Sequence, residues 1–240
     1  MKVLGICGTH KRKGKSASEW MLRQALAAAE EMDAETEAIR LIQYHIEPCL
    51  ACNSCLCGRP CPLLQDPKDE AKLVFEKMYE ADAFIFSSPV YAYQTPAIVT
   101  NLLHRTRPFH EFERAKVWGN SIQAVKKNPF AGAPVGNMAV GAAVGLEGAL
   151  YGLLHPLMAM GATSVACTGI ALLDSEMRNL VTIGGQVAIE HPGFRRVAEE
   201  ANSNYEENEC AIDMARAVGR WVVHIYRSAV FQTIKHHIRL

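Results

Sequence analysis

Five short apolar runs alternate along the chain with segments whose apolar residues recur at helical spacing, and this alternation restricts the fold more than any other feature. KVLGIC (2–7) reads as a buried strand ended by Gly8. SASEWMLRQALAAAEEM (16–32) sets Trp20, Leu22, Ala25, Leu26 and Ala29 on one helical face, with Ser16 or Ser18 as N-cap. TEAIRLI (36–42), DAFIFSSPV (82–90), VGNMAVGAAV (135–144) and TSVACTG (163–169) give four further strands. Helices are expected over 69–81, with Leu73, Val74 and Met78 on one face, over 95–106 with Pro96 in the first turn, over 148–160, and over roughly 193–224. Continuous apolar strands separated by helices imply a parallel sheet covered on both faces, since a parallel crossover needs a connection of helix length.

Five strands so arranged favour an α/β, doubly wound, flavodoxin-like sheet of order 2-1-3-4-5, with a ligand crevice where strands 1 and 3 diverge. A chain of 240 residues suits one such domain over 1–225, with 226–240 as a C-terminal extension fitted to an oligomer contact. Two connections exceed the usual few residues: 43–68, directly after strand 2, and the insertion 107–134. Lys plus Arg and Asp plus Glu both number 25, so no net field favours nucleic acid or a membrane surface. No apolar stretch reaches the ~18 residues of a membrane span, and the run before Gly8 is too short for a signal segment. The expectation is a cytoplasmic protein, where clustered thiols serve metal binding or redox chemistry more often than disulfides.

PCLACNSCLCGRPCP (48–62) carries five of the eight cysteines. Taken alone, it admits a structural zinc, a disulfide knot, a redox dithiol or an iron–sulfur cluster.

Strand 1 runs into GTHKRKGKSAS (8–18), where Thr9 and Ser16 offer hydroxyls and Lys11, Arg12 and Lys15 offer charge at a helix N-terminus. Such a loop binds phosphate. Gly5, Gly8 and Gly14 do not fit G-x-G-x-x-G, and Thr9 stands where a Walker A loop needs its first glycine. Strand 3 ends in SSPVYAYQTP (87–96), with Tyr91 and Tyr93 as flat faces, and strand 4 in the glycine-rich GAAVGLEGALYG (141–152). Three loops at the carboxyl end of one sheet describe a mononucleotide site.

GTHKRKGKS (8–16) resembles the phosphate loop of the NADPH-dependent FMN reductases, and SSPVYAYQTPAIVTNLLHRT (87–106) resembles their Ser-Pro-Val-Tyr segment with the helix after it. The spacing Cys49-x2-Cys52-x2-Cys55-x5-Cys61 is similar to the compact cluster motif of the iron–sulfur flavoproteins, a branch of that group. The resemblance implies FMN, a [4Fe–4S] cluster and a homo-oligomer, dimer or tetramer, in which cluster and flavin of different subunits approach. By the same match Thr9, Lys11, Gly14, Lys15, Ser16 and Ala17 cradle the FMN phosphate. Pro89, Val90 and Tyr91 lie along the isoalloxazine, and Gly145, Leu146, Glu147 and Gly148 close its other edge. Cys49, Cys52, Cys55 and Cys61 are the implied cluster ligands. The loop departs from the family pattern at His10, Lys11, Lys15 and Ser16, and Cys57 falls outside the four-ligand set.

A C-x2-C-x2-C run wraps one corner of a cubane, whereas zinc sites usually pair C-x2-C knuckles across a longer span and short spacings strain disulfides. Cys7, Cys167 and Cys210 read as small buried hydrophobes. No catalytic acid or base stands out: His155, His224, His236 and His237 read as packing or surface residues, and Glu147 as a cap for the helix after it. The expected function is an FMN- and [4Fe–4S]-dependent oxidoreductase that moves electrons between ferredoxin or NAD(P)H and a small-molecule acceptor. The alternatives are an NAD(P)H-dependent flavin or quinone reductase with a structural zinc loop, and a non-catalytic redox sensor or electron carrier.

Overall fold

The structure, a computed structural model, describes residues 1–110, 127–142, 144–172, 205–228 and 231–232. The apolar runs form β1 (Lys2–Cys7), β2 (Glu35–Arg40), β3 (Ala83–Pro89), β4 (Pro134–Gly141) and β5 (Thr163–Ala171). Between and after them lie α1 (Ala17–Glu30), α2 (Pro62–Gln65), α3 (Ala71–Glu80), α4 (Ala97–Arg105), α5 (Leu146–Ala159) and α6 (Glu209–Arg227). All strand pairs are parallel and the order is β2-β1-β3-β4-β5, as the alternation implied.

Successive side chains of a strand point to opposite faces, so each central strand feeds two cores. Leu4 and Ile6 of β1 join Phe84 and Phe86 of β3 under Val74, Phe75 and Met78 of α3, Val99 and Leu102 of α4, and Leu153 and Leu157 of α5. Val3 and Cys7 join Ile85, Met138 and Val140 under α1 and α6 on the other face. Full burial of such aliphatic side chains stabilises by about 1.5–3 kcal/mol each. Close approach of α6 to α1 depends on Gly219, where a Cβ would lie 1.9 Å from the Ala25 carbonyl oxygen.

Four readings are corrected. Leu73 is exposed, because Ala71, Val74, Phe75 and Met78 already fill the inward stripe of α3 and Leu73 lies about 100° from Val74 around the helix. The last helix starts at Glu209, where the Asn208 side chain accepts from Ala211 N–H at 3.0 Å, and the 193–204 part of that expectation lies outside the described residues. Cys167, on the edge strand β5, and Cys210, in the first turn of α6, are exposed rather than buried. Cys7 is buried as expected, and desolvation pushes its thiol up to about 11. Most of the C-terminal extension, with His236 and His237, and residues 111–126 of the insertion also lie outside the described residues. Among the described residues no helix is long and apolar enough to cross a membrane.

β1 is the switch strand. The chain crosses one face through α1 to reach β2 and the other through α3 to reach β3, so the loops at the carboxyl ends of β1 and β3 diverge.

Candidate functional site

The loop after β1 stays on the sheet for one more residue, Gly8 N–H donating to Ser87 C=O at 2.9 Å. It then folds over two buried hydroxyls, Thr9 and Ser16. Ser16 has the extended backbone of an N-cap for α1 (φ −131°, ψ 121°), yet its hydroxyl does not cap. Instead Ser16 Oγ donates to Thr9 Oγ1 at 3.0 Å, and Lys11 N–H donates to the same oxygen at 3.2 Å. A hydroxyl has two acceptor positions and one proton; with both acceptors taken, Thr9 is left with a proton to donate. The first-turn N–H groups of α1 likewise receive no bond from the N-cap side chain. Gly14 (φ +81°) turns the loop with nothing within 4 Å of its would-be Cβ.

The structure therefore gathers Thr9, Gly14, Ser16 and the start of α1 at Ala17. It commits the two lysine heads elsewhere. Lys15 Nζ pairs with Glu206 at 2.9 Å, which raises its pKa, and Lys11 Nζ donates to the Lys15 carbonyl at 3.0 Å. Sequence reasoning missed Arg40, whose guanidinium donates to the Lys11 carbonyl and braces the loop. The available signal was its place at the end of β2, in register with Cys7.

The loop after β3 holds to β4 through Val90 N–H on Val140 C=O at 3.2 Å, then reverses in a tight turn. Tyr91 and Gln94 exchange two backbone bonds of 3.0 Å across Ala92 (φ 47°) and Tyr93 (φ 64°). Left-handed backbone at a residue with a Cβ costs about 1–2 kcal/mol, and the loop after β4 supports it. A Cβ on Gly145 would lie 2.7 Å from Tyr93 Cα, and one on Gly148 2.1 Å from the Tyr93 carbonyl oxygen. The two glycines thus seat the turn. Tyr91 stacks on His10 (ring centres 5.7 Å apart, 28° between planes), which joins the first and second loops. Gly145, not Glu147, is the N-cap of α5; Glu147 sits in the first turn, where its charge suits the helix dipole.

The cysteine loop leaves β2 through a single turn of 3₁₀ helix, Leu41–Gln43. Its base is gripped by a buried ion pair: Arg105 Nη1 and Nη2 meet Asp69 Oδ2 and Oδ1 at 2.6 and 3.1 Å. Left-handed residues Ala51 (φ 50°) and Asn53 (φ 59°) bend the chain between thiols, and Gly58 (φ 69°) ends the 3₁₀ turn Cys55–Cys57. Cys49, Cys52, Cys55 and Cys61 line one cavity with Ser54, His104, Arg105 and Arg107. Cys57 is exposed and absent from that lining. The Ser54 hydroxyl, 3.4 Å from Cys52 Sγ, holds that thiol below its ordinary range. No disulfide joins any of the eight cysteines, and among the described residues no three His, Cys, Asp or Glu side chains are drawn together as a metal set. An adjoining cavity of about 420 Å³ shares Cys49, His104 and Arg107. The nine residues of α4, roughly 13 Å at about 1.5 Å per residue, run from the Tyr91–Gln94 turn to Arg105 in the cysteine cavity wall.

The NADPH-dependent FMN reductase family matches residues 1–172. An iron–sulfur flavoprotein of Methanocaldococcus jannaschii is 37% identical over 108 residues, 45% of this chain and 53% of its own. Another, of Archaeoglobus fulgidus, is 34% identical over 107 residues, 45% of this chain and 49% of its own. The matched region thus spans about half the length of these relatives. Among solved structures, RosB with a bound 8-demethyl-8-formylriboflavin-5'-phosphate intermediate superposes with a TM-score of 0.62 at 16% identity. That alignment covers 97% of this chain and 81% of the other, and at this identity it shows the shared fold.

Proposed function

This chain belongs to the NADPH-dependent FMN reductase family, and from that premise we propose that it is an FMN-dependent oxidoreductase whose cysteine loop carries a [4Fe–4S] cluster. The observation that carries the cluster half is the sorting of the thiols: the four in cluster spacing line one cavity and the fifth, Cys57, does not. A cubane takes four thiolates, the number of cysteines on that wall, and binding would draw their thiols together. The flavin half rests on the loop chemistry. Thr9, its oxygen already accepting twice, keeps a proton to donate, Gly14 leaves room, and the N-terminus of α1 from Ser16 and Ala17 adds its partial positive charge.

Thr9, Gly14, Ser16 and Ala17 would hold the FMN phosphate, with Lys11 N–H fixing Thr9 from behind and Lys15 held to one side by Glu206. Pro89, Val90 and Tyr91 on one side and the segment from Gly145 through Leu146 and Glu147 to Gly148 on the other would flank the ring. When bound, FMN supplies two-electron exchange with a nicotinamide donor and one-electron exchange with a cluster. The chain's own part is to orient: the Tyr91–Gln94 turn, seated on Gly145 and Gly148, fixes the ring edge, and α4 carries that geometry to the cysteine cavity. No side chain is required as an acid or base. NAD(P)H or a ferredoxin is the donor and a small molecule the acceptor.

The test is anaerobic purification followed by assay of FMN, iron, acid-labile sulfide and zinc per chain, with Cys55→Ser and Cys57→Ser beside the native chain. Equimolar FMN with iron and sulfide at the ratio of one cubane is expected, lost in Cys55→Ser and kept in Cys57→Ser. An iron-free protein with one zinc per chain would mean a structural zinc loop. Absence of FMN after reconstitution would remove the flavin half. Absorbance bleaching by NADH, NADPH or reduced ferredoxin, each alone, then identifies the donor.

A further inference from the structure

We infer that the buried Asp69–Arg105 ion pair is a positioning device for the cysteine loop, governing how much cluster the loop retains and at what reduction potential; this rests on the cluster reading above. Every polar atom of the Asp69 carboxylate is engaged. Oδ2 accepts from Arg105 Nη1 at 2.6 Å and from Glu47 N–H at 2.9 Å, and Oδ1 accepts from Arg105 Nη2 and Ala71 N–H, both at 3.1 Å. Arg105 Nη1 also donates to the Glu47 carbonyl at 3.0 Å. The peptide groups of Glu47 are therefore clamped by both partners, N–H by the acid and C=O by the base, two residues before Cys49. Asp69 stands at the other end of the loop, beside the first turn of α3. The ion pair thus closes the loop at its neck, beside the bonds of 2.7 Å that Glu70 N–H gives to the His45 carbonyl and His45 N–H gives to the Glu70 carboxylate.

Burying two charges is expensive, and an apolar pair of similar volume is often as stable or more so. Asp69 and Arg105 are 5% and 2% exposed. A device that merely glued α3 to α4 would need no charge. This one sets the position of the first thiol relative to α4, and α4 begins at the Tyr91–Gln94 turn. Arg105 further belongs to the wall of the four-thiol cavity. There its charge favours electron-rich states of whatever the thiols hold, and Asp69 offsets it.

Two variants separate placement from charge. Asp69→Asn leaves the guanidinium uncompensated and weakens the neck. The expected result is at least a twofold fall in iron and sulfide per FMN, with the midpoint potential of the remaining cluster moved upward. Arg105→Lys keeps the charge but lacks the planar fork that reaches both carboxylate oxygens and Glu47. It is expected to lower iron per FMN while leaving the potential where it was. Should Asp69→Asn fail to fold, seen as loss of FMN and of far-ultraviolet dichroism, Arg105→Lys decides by its iron-to-FMN ratio. Native iron content in Arg105→Lys, or equal potential shifts in both variants, overturns the inference while the cluster reading stands. A native chain that takes up no iron overturns both.

Discussion

The loops after β1 and after β2 leave neighbouring strands at the same edge of the sheet, with Cys7 and Arg40 in register, yet they are held by opposite means. The first is short and built from backbone: a ladder bond at Gly8, two buried hydroxyls bonded to each other, a left-handed glycine and a helix start. The second runs from Gln43 to Ala71 with only short helical turns, and its neck is held by a buried ion pair beside the bonds between His45 and Glu70. The contrast follows from what each would bind. Phosphate is recognised by N–H groups and hydroxyls, which a strand–helix junction supplies by its geometry. A metal cluster needs several thiols from different turns, and metal binding completes the folding of such a segment. On the proposed function, the fold would prepare the first site fully and the second only as a donor set with a fixed neck.

The contrast can be broken most forcefully at Gly148. A Cβ there would stand 2.1 Å from the Tyr93 carbonyl oxygen, and neither a backbone carbonyl nor the first turn of α5 can yield cheaply. Gly148→Ala should destabilise by about 1–3 kcal/mol, the usual range for overpacking, read as a lower urea midpoint. FMN affinity should fall with it while iron per chain is kept. Loss of iron with FMN retained would mean that the two sites are not held separately.

Ser16→Ala probes the hydroxyl network more gently. It removes the donor that occupies one acceptor position of Thr9, freeing Thr9 to rotate its proton away from the ligand. One hydrogen bond of about 1 kcal/mol corresponds to roughly a fivefold loss in FMN affinity, measurable by fluorescence titration of the deflavinated protein. Iron content should not change. An unchanged FMN affinity would show that the helix N-terminus alone carries the phosphate.

The same contrast explains what was legible in the sequence. β1, β3 and β4 announce themselves because strands buried on both faces read as mostly apolar runs, and the proposal of a phosphate loop follows from its place between a strand and a helix. Cys49, Cys52, Cys55 and Cys61 were legible as spacing alone, a covalent property that survives any loop conformation. Asp69 and Arg105 were not, since neither periodicity nor composition marks two charged residues that become buried only when α3 and α4 come together on the sheet. Arg40 escaped because its bond to the Lys11 carbonyl forms only once β2 pairs with β1, although its place at the end of β2 was a signal. Leu73 misled because Ala71, Val74, Phe75 and Met78 already complete the inward stripe of α3 and Leu73 falls outside that arc. Cys167 and Cys210 misled because residue type predicts burial only on average, while an edge strand and a helix start offer less cover.

The smallest expected effect lies at Glu37 of β2. Its carboxylate meets Lys2 of β1 at 2.9 Å and Lys77 of α3, and Lys2 also meets Glu80 at 3.1 Å. This network joins both elements that flank the cysteine loop to the switch strand, away from the loop's neck. The hydrogen bond from Lys77, aided by that from Lys2, holds the Glu37 carboxyl below its ordinary 4.5. A carboxyl lowered on folding adds stability that is fully present above its unfolded value and is lost as pH falls through the folded one. Glu37→Gln should therefore cost stability at pH 7, and the gap to the native chain should close as pH falls below about 4.5. Lys2, Lys77 and Glu37 keep contact with solvent, which limits the cost to about 0.2–1 kcal/mol, and salt should shrink it further. Urea midpoints at several pH values, with and without added salt, measure this directly. At pH 7 the variant should keep its full iron and FMN, because the cysteine loop depends on the buried pair at its neck and not on the half-buried pairs at its flanks. Iron loss in Glu37→Gln, with Asp69 and Arg105 intact, would move the control of that loop from its neck to the elements on either side.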